Sequence, residues 1–149
     1  MKLRIVGAAT LLAAAFATQT HAEETMDQAT ILETISAMTT AFAAGNIDGV
    51  MATYEPSAVV VAQPGQPVAG NAALRAMFAE FIASGVNFTY GAHEVVVAGD
   101  TGLHLMSWTA PGPDGPMTAL SVAVLHRQPD GSWKMVIDHP FGDAVMHQE

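Results

Sequence analysis

The 149-residue sequence predicts an α+β fold with its helices first and its strands after them. Apolar residues recur at helical spacing in two segments: Ile31, Ile35, Met38 and Phe42, then Leu74, Met77, Phe78, Phe81 and Ile82. From Val86 onward the chain consists of β-branched and aromatic runs separated by glycine, proline and aspartate turns. Between these regimes, residues 41–82 pass in short order through a helix end, a short helix, a strand pair and a third helix.

Residues 1–22 read as a leader. Lys2 and Arg4 precede the apolar run Ile5 to Ala17, and Thr20-His21-Ala22 offers small residues where a signal peptidase cuts, so cleavage is expected after Ala22. The run is short for a bilayer span, which needs about 20 apolar residues, and no later segment approaches that length. Glu23 to Gln28 is polar and expected to be loose, with Thr25 or Asp27 available to cap the first helix.

Gly45 suits the left-handed residue past that helix, and Asn46 or Asp48 can cap a short helix carrying Ile47, Val50, Met51 and Tyr54 on one side. Pro56 stops it. Ala58 to Ala62 reads as a strand, Pro64, Gly65 and Pro67 as a turn, and Gly70 or Asn71 as the start of the third helix. Val86 to Tyr90 and His93 to Ala98 read as one strand bulged at Gly91. Strands Leu103 to Ala110, Met117 to Arg127 and Trp133 to His139 follow. They are joined by a Pro111 to Pro116 loop and a Pro129-Asp130-Gly131 hairpin turn.

The segments AFAAGNIDGVMATY, SAVVVAQPGQPVAGNAALRAMF and RQPDGSWKMV resemble the nuclear transport factor 2-like superfamily, in its SnoaL-like and ketosteroid-isomerase-like branch. The resemblance implies one domain over residues 23–149. Its form would be a cone-shaped roll, with three N-terminal helices packed on a curved, mostly antiparallel sheet and a pocket in the mouth. It does not imply one activity, because isomerases, dehydratases, cyclases and binding modules share the architecture.

Composition narrows the partners. The formal charge is −9, and it becomes −11 once Lys2 and Arg4 leave with the leader, which argues against nucleic acid and anionic lipid. With no cysteine there is no disulfide framework and no lipidation site at the cleavage point. The leader then directs the chain to a periplasm or to the medium. No Gly-rich phosphate loop or nucleophile elbow is present, and no cofactor is expected. Asp138, His139, Asp143 and His147 cluster near the C-terminus, but their spacing is no known ligand pattern, so no metal is expected.

Ketosteroid isomerases use an aspartate base and an oxyanion hole of tyrosine and protonated aspartate, a case used as a standard illustration of carboxyl tuning. By the resemblance the tyrosine falls on Met38, the base on Val61 or Ala62, and the protonated aspartate on Val122 or Ala123. All are apolar, so steroid isomerisation by that route is excluded. The remaining polar candidates are Tyr54, His104, His126, Asp138 and His139, with Trp108 beside them. Strict alternation places Trp133, Met135, Ile137 and His139 on the core face of the last strand and turns Asp138 away. In the strand from Leu103, the His104, Met106 and Trp108 face is taken as the inner one.

Three expectations follow. The first is a pocket lined by Met38, Phe42, Tyr54, Phe81, Trp108 and Ile137 that takes a small apolar or aromatic molecule. A lyase- or isomerase-type site with His139 or His104 as base and Tyr54 as donor is the alternative. The third is a homodimer. Its contact would be a sheet face bearing Leu103, Leu105, Ser107, Ala119, Ser121, Ala123, Leu125 and Val136, an apolar strip that a soluble monomer rarely leaves uncovered.

Overall fold

A computed structural model describes residues 10–147, with side chains from Met26 onward. The expected leader and its cleavage point after Ala22 lie outside the fully described residues. The architecture is the expected α+β cone: α1 (Thr10–Ala43), α2 (Ile47–Ala52) and α3 (Asn71–Ala83) pack on a six-stranded sheet. The strands are β1 (Tyr54–Gln63), β2 (Gln66–Ala69), β3 (Thr89–Ala98), β4 (Thr101–Gly112), β5 (Gly115–Arg127) and β6 (Trp133–His139). Their order is β2-β1-β6-β5-β4-β3, antiparallel except where β1 runs parallel to β6. A short 3-10 helix, Gly142–His147, ends the described chain.

The expected helical faces meet the sheet. Ile31, Ile35, Leu74 and Phe78 are buried, and Met38, Phe42 and Met77 pack against that core. Gly45 takes a φ of 69° past the end of α1, and the Asn46 side chain accepts from the Gly49 amide to open α2. The polar start of the first helix is not loose. Helix α1 runs through Glu23 to Gln28, and tertiary contacts hold the end of this segment, where Asp27 pairs with Arg127 and the Gln28 amide donates to the Val95 carbonyl.

Three other expectations are corrected. Tyr54 opens β1 rather than ending α2, since Thr53 already closes that helix. The Pro111 to Pro116 stretch is mostly strand, with Pro111 opposite Pro116 and Gly112 opposite Gly115 around a two-residue turn. In such a hairpin the pair flanking the turn exchanges hydrogen bonds and the next pair does not, so two prolines fit there. Finally, Ala119, Ser121, Ala123 and Leu125 face inward and are buried. For Ala119 small size is the reason: Trp108 packs on it and fills the space a larger side chain would take.

The inner face of β4 is the expected one, with His104, Met106 and Trp108 buried. The bulge in β3 also falls at Gly91, since Tyr90 pairs with Trp108 but His93 pairs with Met106.

A second bulge decides the site. In β6, Met135 pairs with Leu125 while Ile137 pairs with Val124, so Val136 is an extra residue in the ladder. One inserted residue exchanges the two faces beyond it. Trp133 and Met135 therefore point in, Ile137 points out, and Asp138 points in.

Candidate functional site

A cavity of about 90 Å³ lies between the helices and the inner face of the sheet. Helix α1 contributes Met38 and Phe42, and α3 contributes Met77, Phe78 and Phe81. Strand β1 supplies Tyr54, Val60 and Ala62, the β3 region Phe88 and Tyr90, and β4 Met106 and Trp108. Ser121, Asp138 and Pro140 complete the lining. Seven of the chain's ten aromatic residues stand here.

The aromatic wall is a connected set. Phe88 meets Phe42 edge-on at 5.8 Å and Trp108 at 5.2 Å, stacks with Tyr90 at 6.2 Å, and so ties α1 to the sheet. Trp108 is anchored in turn. Its indole Nε1 donates to the Pro140 carbonyl at 2.7 Å, and Phe141 packs edge-on against its ring at 5.3 Å. Tyr54 rests on Phe78 with ring centres 5.4 Å apart.

Against this apolar wall stands one polar pair. The Tyr54 hydroxyl donates to Asp138 Oδ2 at 2.6 Å, with the two residues 3% and 7% exposed. Burial raises the Asp138 pKa above the ordinary carboxyl range, while the Tyr54 hydrogen bond and the charge of His139 act in the opposite direction. Tyr54 is held well above the usual phenol range by burial and then by the neighbouring carboxylate, and Tyr90 is raised for the same two reasons. The pair can therefore bind a polar atom through Asp138, accepting from it when ionised and donating when protonated.

The sequence-derived candidates separate. Met38, Phe42, Tyr54, Phe81 and Trp108 line the cavity. Ile137 does not: it is 46% exposed on the opposite face, because the bulge at Val136 reverses the alternation. His139 is turned out by the same bulge, and its Nδ1 accepts from the Phe141 amide. His104 is buried but lies off the cavity, beside His93 at 5.7 Å, so Tyr54 and the two histidines do not converge. His126 lies 3.4 Å from Glu55, away from the lining.

Asp138 is the residue that strict alternation turned away. The signal for it is faint: Met135, Val136 and Ile137 are all apolar, which leaves the parity of the strand open before a charged residue. Near the C-terminus, His147 lies 3.8 Å from Asp143 while Asp138 points into the cavity, so the four-residue cluster does not converge. Among the described residues no group of three or more His, Cys, Asp or Glu is placed to hold a metal ion.

Comparison with solved structures places this arrangement in a known architecture. An NTF2-like protein of unknown function from Pseudomonas putida superposes with a TM-score of 0.68 at 20% identity, over 77% of this chain and 85% of that one. A ketosteroid isomerase-like protein from Erwinia carotovora atroseptica gives 0.55 at 24% identity, over 76% and 93%. The CaMKII hub of S. rosetta gives 0.55 at 22%, over 75% and 93%. These similarities establish the fold. No curated protein sequence matches the chain. The profile of the SnoaL-like domain matches residues 35–136, from the C-terminal part of α1 into β6, and the chain belongs to that family.

Proposed function

We propose that the cavity binds a small, largely apolar molecule and orients it through Asp138. The observation that carries this reading is the concentration of aromatic and methionine side chains around a single buried Tyr54–Asp138 pair. At about 90 Å³ the cavity is well below the ~300–1,000 Å³ of drug-sized sites, which favours a ligand of one ring or a short chain. A thermal-shift screen of small hydrophobic compounds tests it, with Ala62→Phe as the filled-cavity control. Stabilisation of the natural sequence but not of the variant is expected. No stabilisation by any compound would sink the reading.

A second reading, proton transfer of the isomerase, dehydratase or cyclase kind, is favoured by the same pair. A buried carboxyl with a raised pKa and a phenol beside it can take a proton from an activated carbon and return it elsewhere. His104 and His139 have no part in this version. Deuterium exchange next to the carbonyl of small ketones, followed by NMR, tests it: exchange no faster than with Asp138→Asn counts against catalysis.

Two further proposals concern the setting. Export with cleavage after Ala22 is supported by the leader pattern alone, and a secreted or periplasmic product whose mass retains residues 1–22 would refute it. A homodimer through the outer sheet face is supported by the apolar side chains exposed there, Val96, Leu120 and Ile137 among them.

A further inference from the structure

We infer that the ligand of this cavity is a small organic cation, an alkylammonium group seated against the aromatic faces beside the Asp138 carboxylate. This rests on the reading of the cavity as a small-molecule site and names the chemical class that the site would select.

The first argument is charge. Asp138 is buried, its Oδ2 is engaged by Tyr54, and neither Lys, Arg nor His lines the cavity. A carboxylate in such a place has no counter-ion within the cavity, and a neutral or anionic ligand cannot supply one. A cation can. The net charge of −9 adds a long-range field of the same sense, attracting cations and repelling anions.

The second argument is the wall. Aromatic faces carry the negative end of the ring quadrupole, and a desolvated ammonium group near them is held more strongly than a hydrocarbon of the same shape. Phe42, Phe88, Tyr90 and Trp108 form that wall through their mutual contacts. Met38, Met77 and Met106 add polarisable sulfur to it. A purely apolar ligand would need the rings and methionines but would leave the carboxylate without a role. The cation uses both.

The third consideration is proton linkage. The ionisable groups facing Asp138 are Tyr54 from β1 and Tyr90 from β3, and His139 acts on it from the adjoining position in β6. Helices α1 and α3 and strands β4 and β5 bring no ionisable side chain to the lining. Because burial raises the Asp138 pKa, a fraction of the free protein holds the neutral acid, and a cation would bind with release of that proton. Affinity for a cation should therefore rise with pH from the acid side. Affinity for a neutral molecule should not.

The test compares choline with 3,3-dimethylbutan-1-ol, which has the same shape but carbon in place of the charged nitrogen. Each is titrated into the full chain by calorimetry at several pH values. Choline is expected to bind at least about tenfold more tightly, with a preference that grows as pH rises. Asp138→Asn should bring the ratio of the two affinities close to one. Equal or tighter binding of the alcohol to the natural sequence overturns the cation but leaves the small-molecule reading standing. A preference unaltered in Asp138→Asn overturns the part assigned to the carboxylate, and binding of neither compound overturns this inference, while the small-molecule reading falls only with the thermal-shift screen.

Discussion

The Tyr54 hydroxyl lies 2.6 Å from Asp138 Oδ2, and the two groups are buried together where β1 runs parallel to β6. The hydrogen bond favours the ionised carboxylate and burial opposes it, with burial the larger effect. The folded protein thus holds the Asp138 proton to higher pH than the unfolded chain does. Between the ordinary carboxyl value and the raised one, the folded state binds more protons, so stability falls as pH rises through that window. Replacing Asp138 by Asn keeps an acceptor for Tyr54 and removes the charge. The variant should melt higher than the natural sequence at neutral pH, with the gain shrinking toward zero in acid. A melting temperature lowered at every pH would show that the ionised pair stabilises the fold.

The faces of the helices were legible because a period of 3.6 residues survives any local irregularity within one element, as Ile31, Ile35, Leu74 and Phe78 show. Strand faces are more fragile. Alternation over two residues is undone by one insertion, and the bulge at Val136 turned Asp138 in and Ile137 out. Side-chain size does not mark the faces of β5 either. Leu120 stands outside while Ala119 and Ser121 stand inside, because the volume above the small residues is filled from other elements. The apolar half of the cavity, from Met38, Phe42, Phe81 and Trp108, was therefore readable in the sequence. Its polar pair depended on pairing that no single strand records.

The outer sheet face differs from the strip that parity suggested. Leu103, Leu105 and Ser107 stand opposite Val124, Val122 and Leu120, and Val96 and Ile137 extend the apolar surface on either side. If two copies bury this face against each other, light scattering in moderate salt should give twice the mass of one chain, and Leu105→Glu should return it to one. Leu125→Glu is unsuitable for this test, because Leu125 is 0% exposed and its replacement would break the core. A single-chain mass at tens of micromolar would exclude the dimer.

His104 gives a pH response of the opposite sign to that of Asp138. It is 1% exposed, its Nε2 has no hydrogen-bond partner among the described residues, and His93 lies beside it. Burial, and then the proximity of His93, lower its pKa from 6.5 to about 4. Between those values the unfolded chain binds the proton and the folded one does not, so stability is present above pH 6.5 and is lost as pH falls toward 4. The loss from this group amounts to about 3 kcal/mol when fully developed, at 1.36 kcal/mol for each unit. Substituting His104→Leu removes the titrating ring and the unpartnered nitrogen without adding a polar atom. The stability difference between pH 7 and pH 4, read from urea unfolding, should shrink by up to about that amount in the variant. An acid limb identical to that of the natural sequence would mean that the imidazole is already protonated in the folded protein.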